Sequence, residues 1–514
     1  MRSIQRSRRF IKALAATGAI GVATLSASSF AVTYYLSPTG TDAGTCTLAL
    51  PCATVMYAHG LAASGDVVNL AAGTYTQELD ITKSITLSGA GATSSIIQAP
   101  ATLTDRVGII PSGNATTTDR NAVVLVRGGA TVIMQNLQVL GPGSTNCASL
   151  GFGVFVGGGA NLTFTNGRIV DVRDGVLPLS GCQNGTGIRY GASSTSQVAT
   201  GVVANSTIVG FQKNGITADG VGTNVQMTGN TIIGQSPPPI IAQNAIQVSR
   251  GATATVTGNT ISDSQCGNPT NCGPGFDKAW STAILLFEPG ATTITGNTLG
   301  SSDVGILLSG TATTPAITVS NNTLINNRVG VSAQTGTLNL TGNTITGGQR
   351  GAISAAFIGD VANSVINLNG GNIISGSSIA GVSVYDEDLA DAITATVQGA
   401  GNQFINNAVA ASNVPAQGIV NLGCNWWGSA LGPVNPANPL GAGNPATPNT
   451  TFSNWSIDNT SFACTGNAQN NEVLNARVVP TLSAPAMASL MAMLGFAVYF
   501  ARRRQTIKAR AICR

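Results

Sequence analysis

The chain has 514 residues, of which 64 are Gly and only 9% are charged. Thr, Val, Ile, Asn and Gly dominate while Glu and Lys are scarce, which argues against ordinary helical folding and for strands and turns. The formal charge is +4, but five basic residues fall in residues 1–31 and six follow residue 478, leaving 13 basic against 20 acidic residues between them, a net −7. That balance removes the electrostatic footing for nucleic acid, which is not an expected partner.

Residues 1–31 combine a basic start, an apolar stretch of small residues and Ser29-Phe30-Ala31 as a cleavage site, and read as an export signal. Ser7-Arg8-Arg9-Phe10-Ile11-Lys12 is similar to a twin-arginine signal but one spacer residue short, so the general export route is favoured. Next, Pro51 to Ala63 predicts a short amphipathic cap helix, and GDVVNLAAGTY and ITKSITLSGAG predict the first strands.

From there a repeat runs through the chain. Asn opens a short segment that soon turns apolar at Asn136, Asn166, Asn205, Asn230, Asn259, Asn297, Asn322, Asn343, Asn372 and Asn402, with spacings from 21 to 39 residues. Four of these Asn lie in TGNT. A second signal follows most of them, as in Gly215-Ile216, Ala245-Ile246, Gly305-Ile306 and Gly381-Val382. Short alternating segments such as ATATVT and TLNLT separate the two signals. Strands repeating at this period without helices indicate a solenoid, right-handed by the chirality of strand crossovers.

The Asn is expected to take the left-handed backbone of a corner and to form a ladder with the Asn of neighbouring rungs. Roughly twelve rungs fit between Asp66 and Gly428, a rod of about 58 Å at about 4.8 Å per rung. This places the solenoid at residues 32–429. The opening block and the repeat resemble the pectate-lyase-like, right-handed parallel β-helix proteins over about residues 33–430. That superfamily contains lyases, hydrolases and esterases of acidic polysaccharides beside adhesins and tailspikes, so the resemblance implies an all-β solenoid and leaves activity open.

Cys424-Asn-Trp-Trp-Gly-Ser429 resembles the terminal segment of bacterial β-helix repeats, with Trp426 and Trp427 expected to cover the last rung. Residues 430–478, rich in Pro, Asn and Gly, are expected to be a linker. Eight cysteines precede the tail, and proximity favours Cys46 with Cys52, Cys147 with Cys182, Cys266 with Cys272 and Cys424 with Cys464, among 105 connectivities.

The tail, residues 479–514, carries an uncharged stretch at about 484–501 that predicts one transmembrane helix, with a basic cytoplasmic end at 502–514. Val479-Pro480-Thr481-Leu482-Ser483, the apolar stretch and Arg502, Arg503 and Arg504 resemble an IPTL-type sorting tail. This implies the membrane and a sorting transpeptidase as partners, and the envelope or surface of a Gram-negative bacterium as the location. Val479 stands where Ile is usual, and Ala484-Pro485-Ala486 where Glu-Trp-Gly is usual.

Chemistry is sparse. The one histidine, His59, falls on the cap helix, so histidine catalysis is not expected. The motif segments of polygalacturonase-like hydrolases, pectin methylesterases and alginate epimerases are incomplete or missing. A lyase needs an Arg or Lys base and a cation such as Ca²⁺ to neutralise the sugar carboxylate. The candidates are Arg173 or Lys278 as base, with Asp171, Asp174 and Asp277 as cation ligands. Arg189, Tyr190, Phe276, Asp277 and Trp280 are candidates to grip a sugar, since insertions near them should stack into one groove wall. Asp386, Glu387, Asp388 and Asp391 form a second acidic cluster that calcium could use. The expected function is an exported, non-catalytic β-helix presenting a groove to polysaccharide or extracellular matrix; the alternative is a polysaccharide lyase acting on uronate polymers by β-elimination.

Overall fold

In the computed structural model the described residues are 31–467, apart from 113–118, 146, 148, 176–178, 180, 269–271, 273–279, 358–359, 361, 389–391 and 415–416. Phe276, Asp277, Lys278 and Asp391, the export signal up to residue 30, and the sorting residues Val479, Pro480, Thr481, Leu482 and Arg502 to Arg504 therefore lie outside them. No helix among the described residues is long and apolar enough to cross a membrane.

The chain winds as a right-handed parallel β-helix with three sheets. A typical turn passes from Thr253–Thr257 in the first sheet to Thr260–Ser262 in the second and Thr282–Phe287 in the third. Alternation puts Ala254 and Val256 in the core and their threonine neighbours outside. The second sheet has 12 strands in strict parallel register. The first and third fuse into one 26-stranded sheet because Val329–Thr341 runs through both without a turn.

The corner between the first and second sheets is where the TGNT asparagines sit. Asn230, Asn259, Asn297, Asn322, Asn343, Asn372 and Asn402 are buried, and each backbone N–H donates at 2.8–3.2 Å to the Oδ1 of the Asn one rung on, ending at Asn425. Two expectations are corrected here. The left-handed residue is the one before the ladder Asn, as at Gly229 (φ 65°), Gly258 (φ 64°) and Asn321 (φ 55°). Asn136, Asn166 and Asn205 occupy that earlier position, with φ of 54°, 50° and 49°. They are therefore outside the ladder, whose place in the third of these rungs belongs to Ser206, its backbone N–H donating to Asn230 Oδ1 at 3.0 Å.

Both ends are closed. Helix α1, Val55–Leu61, starts at Thr54, whose side chain accepts from Tyr57 N. Lys83 Nζ donates to the carbonyls of His59, Gly60 and Ala62 at 2.7–2.9 Å, satisfying the helix C-terminus. His59 is buried and accepts from Thr82 N; burial, then the Lys83 charge, hold its imidazole below the ordinary value.

At the other end Trp427 is buried and stacks on Phe404 at 5.1 Å, followed by Phe452 and Trp455. Thr450–Thr451 adds a further strand to the first sheet. Residues 430–467 are thus a packed cap, where a linker was expected, because the apolar side chains of Phe452 and Trp455 cover the last rung. Four disulfides join Cys46 to Cys52, Cys147 to Cys182, Cys266 to Cys272 and Cys424 to Cys464. That pattern marks an exported protein.

Candidate functional site

Insertions collect in the loops that lead from the second sheet to the third, and they touch from rung to rung. Gly143 N donates to Arg173 O at 3.0 Å, Gly175 N to Thr145 O at 3.2 Å, and Gly267 N to Pro239 O at 2.7 Å. The Cys147–Cys182 disulfide bolts two of these loops together. The wall so built borders the outer face of the third sheet.

Asp171, Arg173 and Asp174 lie in the wall as parts of its framework. Asp171 takes the left-handed corner position (φ 54°), and Arg173 Nε meets its Oδ1 at 3.3 Å. Arg173 Nη1 donates to Asp174 O at 2.9 Å. Asp174 is buried, accepts from Cys147 N at 3.0 Å and Asn184 Nδ2 at 3.3 Å, and its own N–H donates to Gln212 Oε1. These contacts hold the Cys147 loop, so Asp174 serves as a brace and not as a ligand open to a cation.

Along the third sheet one outward row runs Leu125, Phe155, Arg189, Thr217, Gln247, Leu285, Leu307, Ser332, Ile353 and Ser383 in register. Tyr190, next to Arg189, points the other way: it is fully buried and its hydroxyl donates to Leu162 O at 3.0 Å. This removes Tyr190 from the sugar-gripping set. Arg189 turns away from the Asp171 corner and pairs with Asp219 at 2.8 Å, stacked over the Phe152 ring.

Asp219 is the hub of this part of the face. Arg250 reaches its other oxygen at 2.9 Å, Ser249 Oγ donates at 2.7 Å, and the backbone and hydroxyl of Ser193 donate as well. Burial opposes ionisation, but Arg189, Ser249, Ser193 and Arg250 together bring the carboxyl down to about 2. A group so held stays ionised and cannot act as an acid at neutral pH.

The far half of the face is differently built. Trp280, Leu285, Val304, Leu307, Val329 and Ile353 form an apolar cluster on the outside of the sheet, with Phe287 and Tyr385 packed on it. Arg328 lies over the Trp280 ring at 5.4 Å. Among the described residues its buried Nε and Nη2 have no hydrogen-bond partner, nor do the buried hydroxyls of Ser332 and Ser383 on the same face. Burial lowers the guanidinium of Arg328, partly countered by Asp303, and lowers that of Arg350, to which the Arg328 charge adds.

Asp303 accepts from Cys266 N and Ser281 N, both at 3.2 Å, and so ties the two necks of the Cys266 insertion. Burial pushes its carboxyl up, against the pull of Arg328. Sequence reasoning found Trp280 but missed Asp303, Arg328 and Arg350. A signal was present: in a chain with 9% charge, Lys213, Asp303, Arg328 and Arg350 all fall two residues before the second repeat signal, where each third-sheet strand begins.

Asp386 is buried at the end of the strand Ala380–Asp386 and accepts from Asp388 N at 3.1 Å, while Glu387 N donates to Ala356 O. Among the described residues no three His, Cys, Asp or Glu gather into a metal-sized group. Arg173 and Arg189, expected to share a site, belong to separate clusters.

Comparison with known proteins agrees with this architecture. The catalytic domain of a GH87 α-1,3-glucanase superposes with a TM-score of 0.52 at 11% identity, covering 75% of this chain and 67% of that one. A GH136 lacto-N-biosidase from Eubacterium ramulus gives 0.49 at 13%, covering 73% and 68%. A periplasmic alginate epimerase gives 0.44 at 12%, covering 68% and 74%. At these identities the likeness concerns the fold. No curated protein sequence matches the chain. The family described as right handed beta helix region matches residues 112–273 and 187–369. Together with three stacked parallel sheets, this match establishes that the chain belongs to the right-handed β-helix family.

Proposed function

We propose that the protein is an exported, non-catalytic β-helix that holds an acidic polysaccharide along the outer face of its third sheet. The observation that carries this reading is Arg328, stacked on Trp280 with two buried guanidinium N–H groups that have no partner among the described residues. A carboxylate accepts such a pair of donors, and buried Trp280 holds the guanidinium in place from one side. Arg350 adds positive charge beside it. The glucan named for the glucanase fold neighbour is in keeping with a saccharide ligand.

Binding is favoured over catalysis because the described carboxylates at this face are committed: Asp219 to two arginines, Asp303 to the necks of a loop. The elimination reading has one supporting observation, since burial lowers Arg328 and Arg350 in the direction an arginine base needs.

Affinity electrophoresis in polygalacturonate gels, with Ca²⁺ present, tests both. Retardation is expected, weakened about tenfold by Arg328→Gln and reduced by salt. Equal retardation of the variant would refute the site, and accumulation of unsaturated product would replace binding with a lyase. The tail 479–514 is proposed as a sorting and anchoring segment; membrane fractionation of chains with and without it decides, and equal partitioning would refute the anchor.

A further inference from the structure

A second cleft lies away from the arginine face, at the C-terminal end of the rod. Its volume is 470 Å³ and its lining includes Trp426, Asn406, Asn407, Asn444, Pro445 and Asn459, with no charged residue. That volume falls within the roughly 300–1,000 Å³ of small-ligand sites.

Sequence pairing explains why Trp426 faces outward. Its backbone extends the second sheet: Trp426 N donates to Asn402 O and Phe404 N donates to Trp426 O, both at 2.9 Å. Successive residues of an extended segment point to opposite sides. Trp427 takes the inward side on Phe404, which turns half-buried Trp426 toward the cleft.

Two of the wall amides are tied to the backbone. Asn407 Nδ2 donates to Ile374 O at 2.8 Å, Asn444 Oδ1 accepts from Asn407 N at 2.7 Å, and Asn444 Nδ2 donates to Trp427 O at 3.1 Å. Asn406, held in the left-handed conformation (φ 53°), and Asn459 are exposed, and among the described residues neither side chain makes a hydrogen bond. An aromatic ring beside open amides, without charge, suits a neutral hexose: its C–H face stacks on the ring while each amide offers both a donor and an acceptor to its hydroxyls.

We infer that this cleft is a separate binding site for neutral hexose units of a glycan. It does not depend on the Arg328 face, so either site can stand if the other fails.

The test is saturation-transfer NMR on the purified protein with cellohexaose, maltohexaose and laminarihexaose. At least one probe is expected to bind, and Trp426→Ala to weaken it about tenfold, with polygalacturonate retardation unchanged. Absence of transfer from all three probes overturns the inference, as does an affinity in Trp426→Ala within about twofold of the parent. Should Trp426→Ala lose its circular dichroism, Asn459→Leu on the exposed rim gives the reading: weakened binding supports the site and unchanged binding overturns it.

Discussion

Replacing Asn259 by Leu tests the ladder at its middle. The side chain donates through Nδ2 to Met227 O at 2.8 Å, Asn297 Oδ1 at 2.9 Å and Thr257 O at 3.2 Å, and accepts through Oδ1 from the backbone and side chain of Asn230 at 2.9 and 3.0 Å. Leu fills similar space but strands the Asn230 N–H and the Met227 carbonyl in a dry corner. Each stranded group costs about 1–3 kcal/mol, so the rung should lose about 2–6 kcal/mol. Because solenoid rungs contact only their neighbours and need not unfold in one step, the suitable assay is hydrogen exchange of the Asn230 amide, supported by the denaturant midpoint. Asn259→Ser should retain part of the stability, since Ser206 already serves at the ladder position by accepting from Gly167 N at 3.2 Å. Asn205→Gly, at an exposed left-handed position (φ 49°), should change stability by less than about 0.5 kcal/mol. Unchanged Asn230 protection in Asn259→Leu, or an equal loss in Asn205→Gly, would refute the ladder as the source of stability.

Acid should weaken the third sheet through Asp219. Its carboxyl falls from 3.8 to about 2 on folding, so its contribution is fully present above about 3.8 and is lost as pH falls through about 2, roughly 2 kcal/mol in all. The denaturant midpoint should fall over that window, and Asp219→Asn should flatten the dependence while weakening the protein at neutral pH by leaving Arg189 buried without its partner. Replacing Cys147 and Cys182 by Ser should cost about 3–4 kcal/mol for a loop of 35 residues. Proteolysis should then begin in residues 143–185, and cleavage starting elsewhere would count against the stacked wall.

The solenoid was legible because its period is written in residues with strict backbone or burial roles. Gly-Asn at a corner and alternating Thr and Val in strands leave few other folds open. The register of the corner was less legible: Asn136, Asn166 and Asn205 carry the same residue type one position earlier, and only backbone geometry separates a left-handed Asn from a ladder Asn. The candidate site was hard to read for a related reason. Arg189 and Tyr190 are adjacent in sequence yet lie on opposite sides of the sheet. Arg328 and Trp280 lie 48 residues apart and meet only because rungs stack. Residues 430–467 read as a linker because Pro, Asn and Gly dominate, while two aromatic anchors, Phe452 and Trp455, decide the packing.

The uninterrupted strand Val329–Thr341 bears on how the two sheets it joins move together. The rungs on either side leave strand conformation between the third sheet and the first, after Ser309 and after Ala356. Where the strand runs straight across, near Gly336, the crossing lies at the opposite end of the third-sheet strand from Arg328 and Arg350. At that rung the two sheets are one continuous strand, so they cannot shift relative to each other without breaking its ladders on both sides.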